Sequence, residues 1–154
     1  MTISRVPPGY LGHEPWFTFN FIKTAITEPR TMNPAVVLAG RVLLSLLFIY
    51  AGFGKLSNAA GTAGYFASVG VPGGIAAAYL IGALEFFGGL AILLGFQTLI
   101  VAYVLAVFTL GTIYFGHYGD MQASLKNLTI VGGFLILGTA GAGAYSVDAR
   151  SRRA

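Results

Sequence analysis

Glu85 is the residue that most needs a physical explanation. In Tyr79-Leu-Ile-Gly-Ala-Leu-Glu-Phe-Phe-Gly-Gly it stands near the middle of a long apolar run. A carboxylate there costs a few kcal/mol on insertion scales, so it is expected to pair or titrate. Arg41 is the nearest candidate by depth. It lies about six residues into the first apolar run, roughly 9 Å from its edge at the helical rise. Glu85 lies about ten residues from the matching edge of the second run, roughly 14 Å deep by the same rise. An extended Arg side chain spans that difference, and the two depths predict an Arg41–Glu85 ion pair. Three uses of such a pair stay open: locking two helices together, proton or quinone chemistry, and recognition of a solute.

Lys55 falls in Ala51-Gly-Phe-Gly-Lys-Leu-Ser at the far end of the first run. Gly-Lys-Leu is not a phosphate loop, because Leu56 replaces the hydroxyl residue and Ile49 the first glycine. Lys55 is expected to reach toward the membrane surface or to bridge Asp120. A second polar group, Tyr114, His117, Tyr118, Asp120, Lys126 and Asn127, gathers around the end of the third run. It holds the donors, aromatic walls and titratable groups that a quinone head group needs. The same residue types also make the ordinary interfacial belt of a membrane protein. His13 and His117 fall at opposite ends of the chain's topology, which argues against a haem held by two histidines of this chain. No catalytic set and no metal site is expected, and no cofactor is expected to be bound by this chain alone, quinone excepted.

The elements that must position these residues follow from composition. Of 154 residues 56% are hydrophobic and 9% charged, against about a quarter charged in a typical soluble domain. Between Val42 and Gly119 the formal charges are Lys55 and Glu85 alone. This excludes an ordinary water-soluble enzyme, a disordered tail and a nucleic-acid-binding domain, despite the net charge of +4. With no cysteine, the chain has no disulfide, thiol relay, Cys-ligated zinc or iron–sulfur cluster. Four apolar stretches, 35–56, 74–94, 98–117 and 125–143, each approach the roughly 20 residues a helix needs to cross a bilayer. Lipid offers no partner to a bare amide, so each is expected to be helical. The link 57–73 reads as a short interfacial helix over 59–69, stopped by Gly70 and Pro72.

The predicted fold is therefore all-α: four transmembrane helices, an interfacial helix between the first two, and an irregular arm. Three parts are expected, an arm over 1–34, a membrane domain over 35–149 and a basic tail over 150–154. The arm is rich in proline and carries Trp16, Phe17, Phe19 and Phe21, with a short helix expected near 18–27. The opening residues lack an uninterrupted apolar core with a cleavage site, so no cleaved signal peptide is expected. Lys23, Arg30, Arg41, Arg150, Arg152 and Arg153 share one side, which places both termini in the cytoplasm of a cell or inner membrane. Small residues four apart, Ala78/Gly82, Ala102/Ala106 and Gly138/Ala142, are expected to pack the bundle, with a homodimer face as the alternative.

Taken in order, Arg41, Ala51-Gly-Phe-Gly-Lys55, Tyr65-Phe-Ala-Ser-Val-Gly-Val-Pro72, Glu85-Phe-Phe-Gly-Gly, Leu94-Gly, Lys126-Asn127 and Tyr145-Ser-Val-Asp148 resemble the DoxX family of small four-helix membrane proteins. The resemblance covers about residues 36–149 and implies a membrane partner of redox systems, since some members are subunits of a thiosulfate:quinone oxidoreductase. The arm has too little apolar surface to order itself, which points to a partner protein. The functional expectation is an accessory integral-membrane subunit of a larger quinone-linked redox or energy-converting complex, without catalysis of its own. The alternatives are an oxidoreductase subunit with its own quinone site, and a small-solute or proton transporter using Arg41 and Glu85.

Overall fold

A computed structural model describes residues 32–116 and 119–152. The aromatic arm (Trp16, Phe17, Phe19, Phe21) with its expected short helix, as well as His117 and Tyr118, lie outside these residues. The described chain is all-α, in the order α1 Pro34–Ser57, α2 Ala59–Ser68, α3 Gly74–Leu94, α4 Thr98–Gly116, α5 Met121–Ala140 and α6 Val147–Ser151. Helices α1, α3, α4 and α5 are long and apolar enough to cross a membrane, and the chain is a multi-pass membrane protein.

Local chemistry sets most of the boundaries. Asn33 accepts a hydrogen bond from the Ala35 amide at 2.9 Å, and Pro34 opens α1, where its missing N–H leaves nothing unpaired. Asn58 ends α1 and at once caps α2, accepting from the Gly61 amide at 3.0 Å. Helix α3 stops at Gly95, whose φ of 67° suits a residue without a Cβ. There the Phe96 amide reaches back to the Ala91 carbonyl at 2.9 Å, and Gln97 completes a three-residue turn into α4. The last span differs from the hydropathy reading by about a turn, beginning at Met121 and ending at Ala140 rather than covering 125–143. Asp120 caps it through the Ala123 amide at 3.0 Å. Its polar first turns, with Gln122, Ser124 and Lys126, fall below the threshold of a hydropathy window.

Packing brings α1 against α3 and α4 against α5. At Gly52 a Cβ would fall onto the Phe86 amide nitrogen and within 2.7 Å of the Gly82 carbonyl, so the two backbones touch. A Cβ on Gly89 would lie 2.9 Å from the Ile49 amide nitrogen. Across the bundle, Phe48 of α1 meets Phe134 of α5 edge-on at 5.2 Å, with Ile92 and Leu105 fully enclosed beside them. Such close approach supplies dispersion energy that lipid contact alone does not. Leu43, Leu80, Phe87, Val107 and Ile136 are left on the outside, which is the expected surface of helices in contact with lipid.

Candidate functional site

Arg41 and Glu85 do not pair; the structure corrects that expectation. Arg41 is enclosed, 1% exposed. It spends its guanidinium on backbone: Nε donates to the Ile92 carbonyl at 2.9 Å, Nη1 to Ala142 at 2.8 Å and Tyr145 at 2.7 Å, and Nη2 to Leu93. It thereby satisfies carbonyls at the end of α3 and in the segment that follows α5. Glu85 pairs instead with Lys55, Nζ to Oε2 at 2.6 Å. The reason lies in side-chain direction. Every Cα–Cβ bond of a helix tilts toward its N-terminus. Arg41 therefore leans to the start of α1 and Glu85 to the start of α3, which are opposite ends of an antiparallel pair. Lys55, in the last turn of α1, leans back toward the middle and meets Glu85 coming the other way. The register agrees, because a Cβ on Gly82, one turn before Glu85, would lie 3.0 Å from the Lys55 Cβ.

Lys55 thus neither bridges Asp120 nor stands alone at the surface. The ion pair forms part of the wall of a cavity of about 680 Å³ between α1, α2, α3, α4 and α5. The rest of the wall is largely apolar and aromatic, with Phe48, Phe66, Phe108, Phe115, Ile81 and Ile130. Facing α1 and α3 across it are Thr109, Thr112, Lys126 and Asn127. Thr109 donates to the Leu105 carbonyl and Thr112 to the Thr109 carbonyl, both at 2.7 Å, while the Asn127 side-chain amide donates to Thr112 Oγ1 at 3.4 Å. Two members of the polar group expected near the end of α4, Lys126 and Asn127, line this cavity. Asp120 is the cap of α5, and Tyr114 is exposed beside Phe115, ring centroids 5.1 Å apart.

The opposite end of the bundle carries a second polar arrangement. Asp148, in α6, accepts from the Gln97 amide at 2.8 Å through Oδ1 and from the Thr98 amide at 2.9 Å through Oδ2. It holds the otherwise unpartnered amides at the start of α4. Partial burial raises its pKa, but the hydrogen bonds from Thr98 and Gln97 and the nearby Arg152 outweigh this and hold the carboxyl below its ordinary value.

An ion pair set into an aromatic cavity inside a four-helix membrane bundle defines a class: integral membrane proteins with an intramembrane polar site. The DoxX family model matches residues 36–118, and the chain belongs to that family. It is 46% identical over 117 residues to the inner membrane protein YqjF of Escherichia coli (strain K12), covering 73% of this chain and 88% of that one. It is 37% identical over 128 residues to the inner membrane protein YphA of the same organism, covering 77% and 91% respectively. A shorter match, 34% over 73 residues, covers 47% of this chain and 53% of a Bacillus subtilis (strain 168) protein named "Putative oxidoreductase CatD". No solved structure matches the chain.

Proposed function

We propose that this chain is the membrane subunit of a redox system and holds a quinone-type ring in the α1–α5 cavity. The observation that carries the reading is the Lys55–Glu85 pair in the wall of an otherwise apolar, aromatic cavity. Lys55 Nζ keeps two N–H groups free to hydrogen-bond a ring carbonyl, and Glu85 offers a carboxyl group able to take up protons and pass them to the oxygens of the reduced ring. The volume suits a ring of two fused cycles, within the range of about 300–1,000 Å³ common for small-molecule sites. A relative named as an oxidoreductase is compatible with this chemistry. In this reading two electrons reach the ring from a partner subunit, and two protons enter through the site, Glu85 relaying them. The partner is engaged through the aromatic arm. Both termini face the cytoplasm, because Arg41, Arg150 and Arg152 mark that side, and the cavity sits in the opposite half of the bilayer.

The test is direct binding of 1,4-naphthoquinone to the full chain in phosphatidylcholine nanodiscs. Lys55→Met and Glu85→Gln should each weaken binding by about tenfold or more, the size expected for a lost hydrogen bond to a charged group. Unchanged affinity in both variants would dispose of the reading.

A further inference from the structure

Lys126 is the charge in this cavity that the ion pair does not explain. The lining contains two lysines and one glutamate, and Glu85 is taken by Lys55 at 2.6 Å. The other described carboxylates are engaged elsewhere. Asp120 Oδ1 accepts from the Ala123 amide at the start of α5, and Asp148 holds the start of α4 at the far end of the bundle. No described residue pairs with Lys126. It is exposed, stands in the second turn of α5 beside the buried Asn127, and lines the cavity. A flexible lysine on a helix end that merely snorkelled would need no cavity beneath it. Here it borders one whose other walls include the rings of Phe66, Phe108 and Phe115.

Resting on the quinone reading above, we infer that Lys126 is a specificity-determining residue: it selects ring ligands that carry an anionic oxygen, as a hydroxyquinone or phenolate does, over neutral rings. The ring lies between the aromatic walls, its carbonyl toward Lys55, and the anionic oxygen answers the unmatched positive charge. An acidic lipid headgroup presents the same anionic oxygen chemistry, and the experiment separates the two sources.

The experiment compares 1,4-naphthoquinone with its 2-hydroxy derivative, which is anionic at neutral pH, on the full chain in phosphatidylcholine nanodiscs. The anion should bind about three- to fivefold more tightly, the scale of a partly exposed ion pair. Lys126→Gln should bring the ratio of the two affinities to one, and Lys126→Arg should keep it. A ratio of one in the unsubstituted chain, or a ratio unaffected by Lys126→Gln, overturns the inference while leaving the quinone site standing. Binding of neither compound removes the quinone site and the inference with it. The series is repeated with phosphatidylglycerol in the nanodisc. A ratio that survives there assigns Lys126 to the ring ligand; one that vanishes assigns it to the headgroup and overturns the inference.

Discussion

Asp148 holds two amides with two oxygens, Gln97 on Oδ1 and Thr98 on Oδ2, and that symmetry makes it replaceable by nothing of the same shape. Asparagine would offer one acceptor and turn its NH₂ toward an N–H donor. Asp148→Asn should therefore cost about 1–2 kcal/mol of stability near neutral pH, the upper range for a lost helix cap. The carboxyl is held below its ordinary 3.8 in the folded chain, so the folded state favours the anion. This contribution is complete above the ordinary value and fades as pH falls through the lower, folded one. Thermal unfolding in nanodiscs at neutral and at strongly acidic pH should show the variant's deficit shrinking in acid; a constant deficit would mean the charge contributes nothing. Asp148 shows what was hard to read at this scale. Its identity and neighbours were visible, but its partners lie about fifty positions away, across a turn that only the folded chain closes. Lys55 was legible in a way that depth alone did not use. Gly52 precedes Lys55 by three residues and Gly82 precedes Glu85 by three, so two faces smooth enough to touch each carry a charge one turn on. Arg41 was misassigned because depth was counted at Cα and the tilt of the side chain was left out.

The four long helices and the short α2 were legible because lipid dictates them: length and apolarity suffice when backbone must satisfy itself. The bounds 74–94 of α3 follow from Gly73–Gly74 and Gly95, residues that punctuate whatever surrounds them. Helix α5 was misplaced by a turn because a polar capped start looks like loop to a hydropathy count. Helix α6 straddles the expected boundary between the membrane domain (35–149) and the basic tail (150–154) and was not foreseen as an element, since five residues carry no periodic signal. How helices pair is a finer property, set at single glycines. Gly52→Ala puts a methyl onto the Phe86 amide and 2.7 Å from the Gly82 carbonyl, atoms of backbone that have nowhere to go. The helices must part, at about 1–3 kcal/mol as in other overpacked interiors, and the Lys55–Glu85 pair must lengthen with them. Gly132→Ala meets nothing within 4 Å and should be neutral or stabilising by up to about 1 kcal/mol through helix propensity. Melting temperatures of the two variants side by side decide whether α1 and α3 touch as described; equal behaviour would contradict the contact.

At the scale of the whole molecule the two ends of the bundle are built differently. At one, Arg41 ties α1 to the carbonyls ending α3 and to the segment after α5, while Asp148 ties α6 to the start of α4. The Asp148 amide returns a bond to the Gly95 carbonyl at 2.9 Å. Arg41 and Asp148 are spent there on backbone, beside a second, more polar cavity of about 690 Å³ whose lining includes Gln97, Thr98, Asp148 and Arg152. At the other, the cavity residues Lys55, Gly116, Lys126 and Ala77 come from the last turn of α1, the last of α4 and the early turns of α5 and α3. A ligand held in the α1–α5 cavity lies nearer this second end. If the termini are cytoplasmic, that end faces away from the cytoplasm, and a ring ligand trades with the outer leaflet or the space beyond it. The chain has no cysteine, so a single introduced thiol reports its own location without background. Met121→Cys, at the exposed start of α5, should react with a membrane-impermeant maleimide on intact spheroplasts. Ser151→Cys, in α6, should react only after they are opened. Asn127→Cys, lining the cavity, should react from the same side as Met121→Cys and slow when 2,3-dimethyl-1,4-naphthoquinone, whose blocked ring does not add thiols, is present. The reverse pattern at positions 121 and 151 would place the termini outside and open the cavity to the cytoplasm. Unchanged reactivity at 127 with saturating quinone would separate the cavity from the ligand assigned to it.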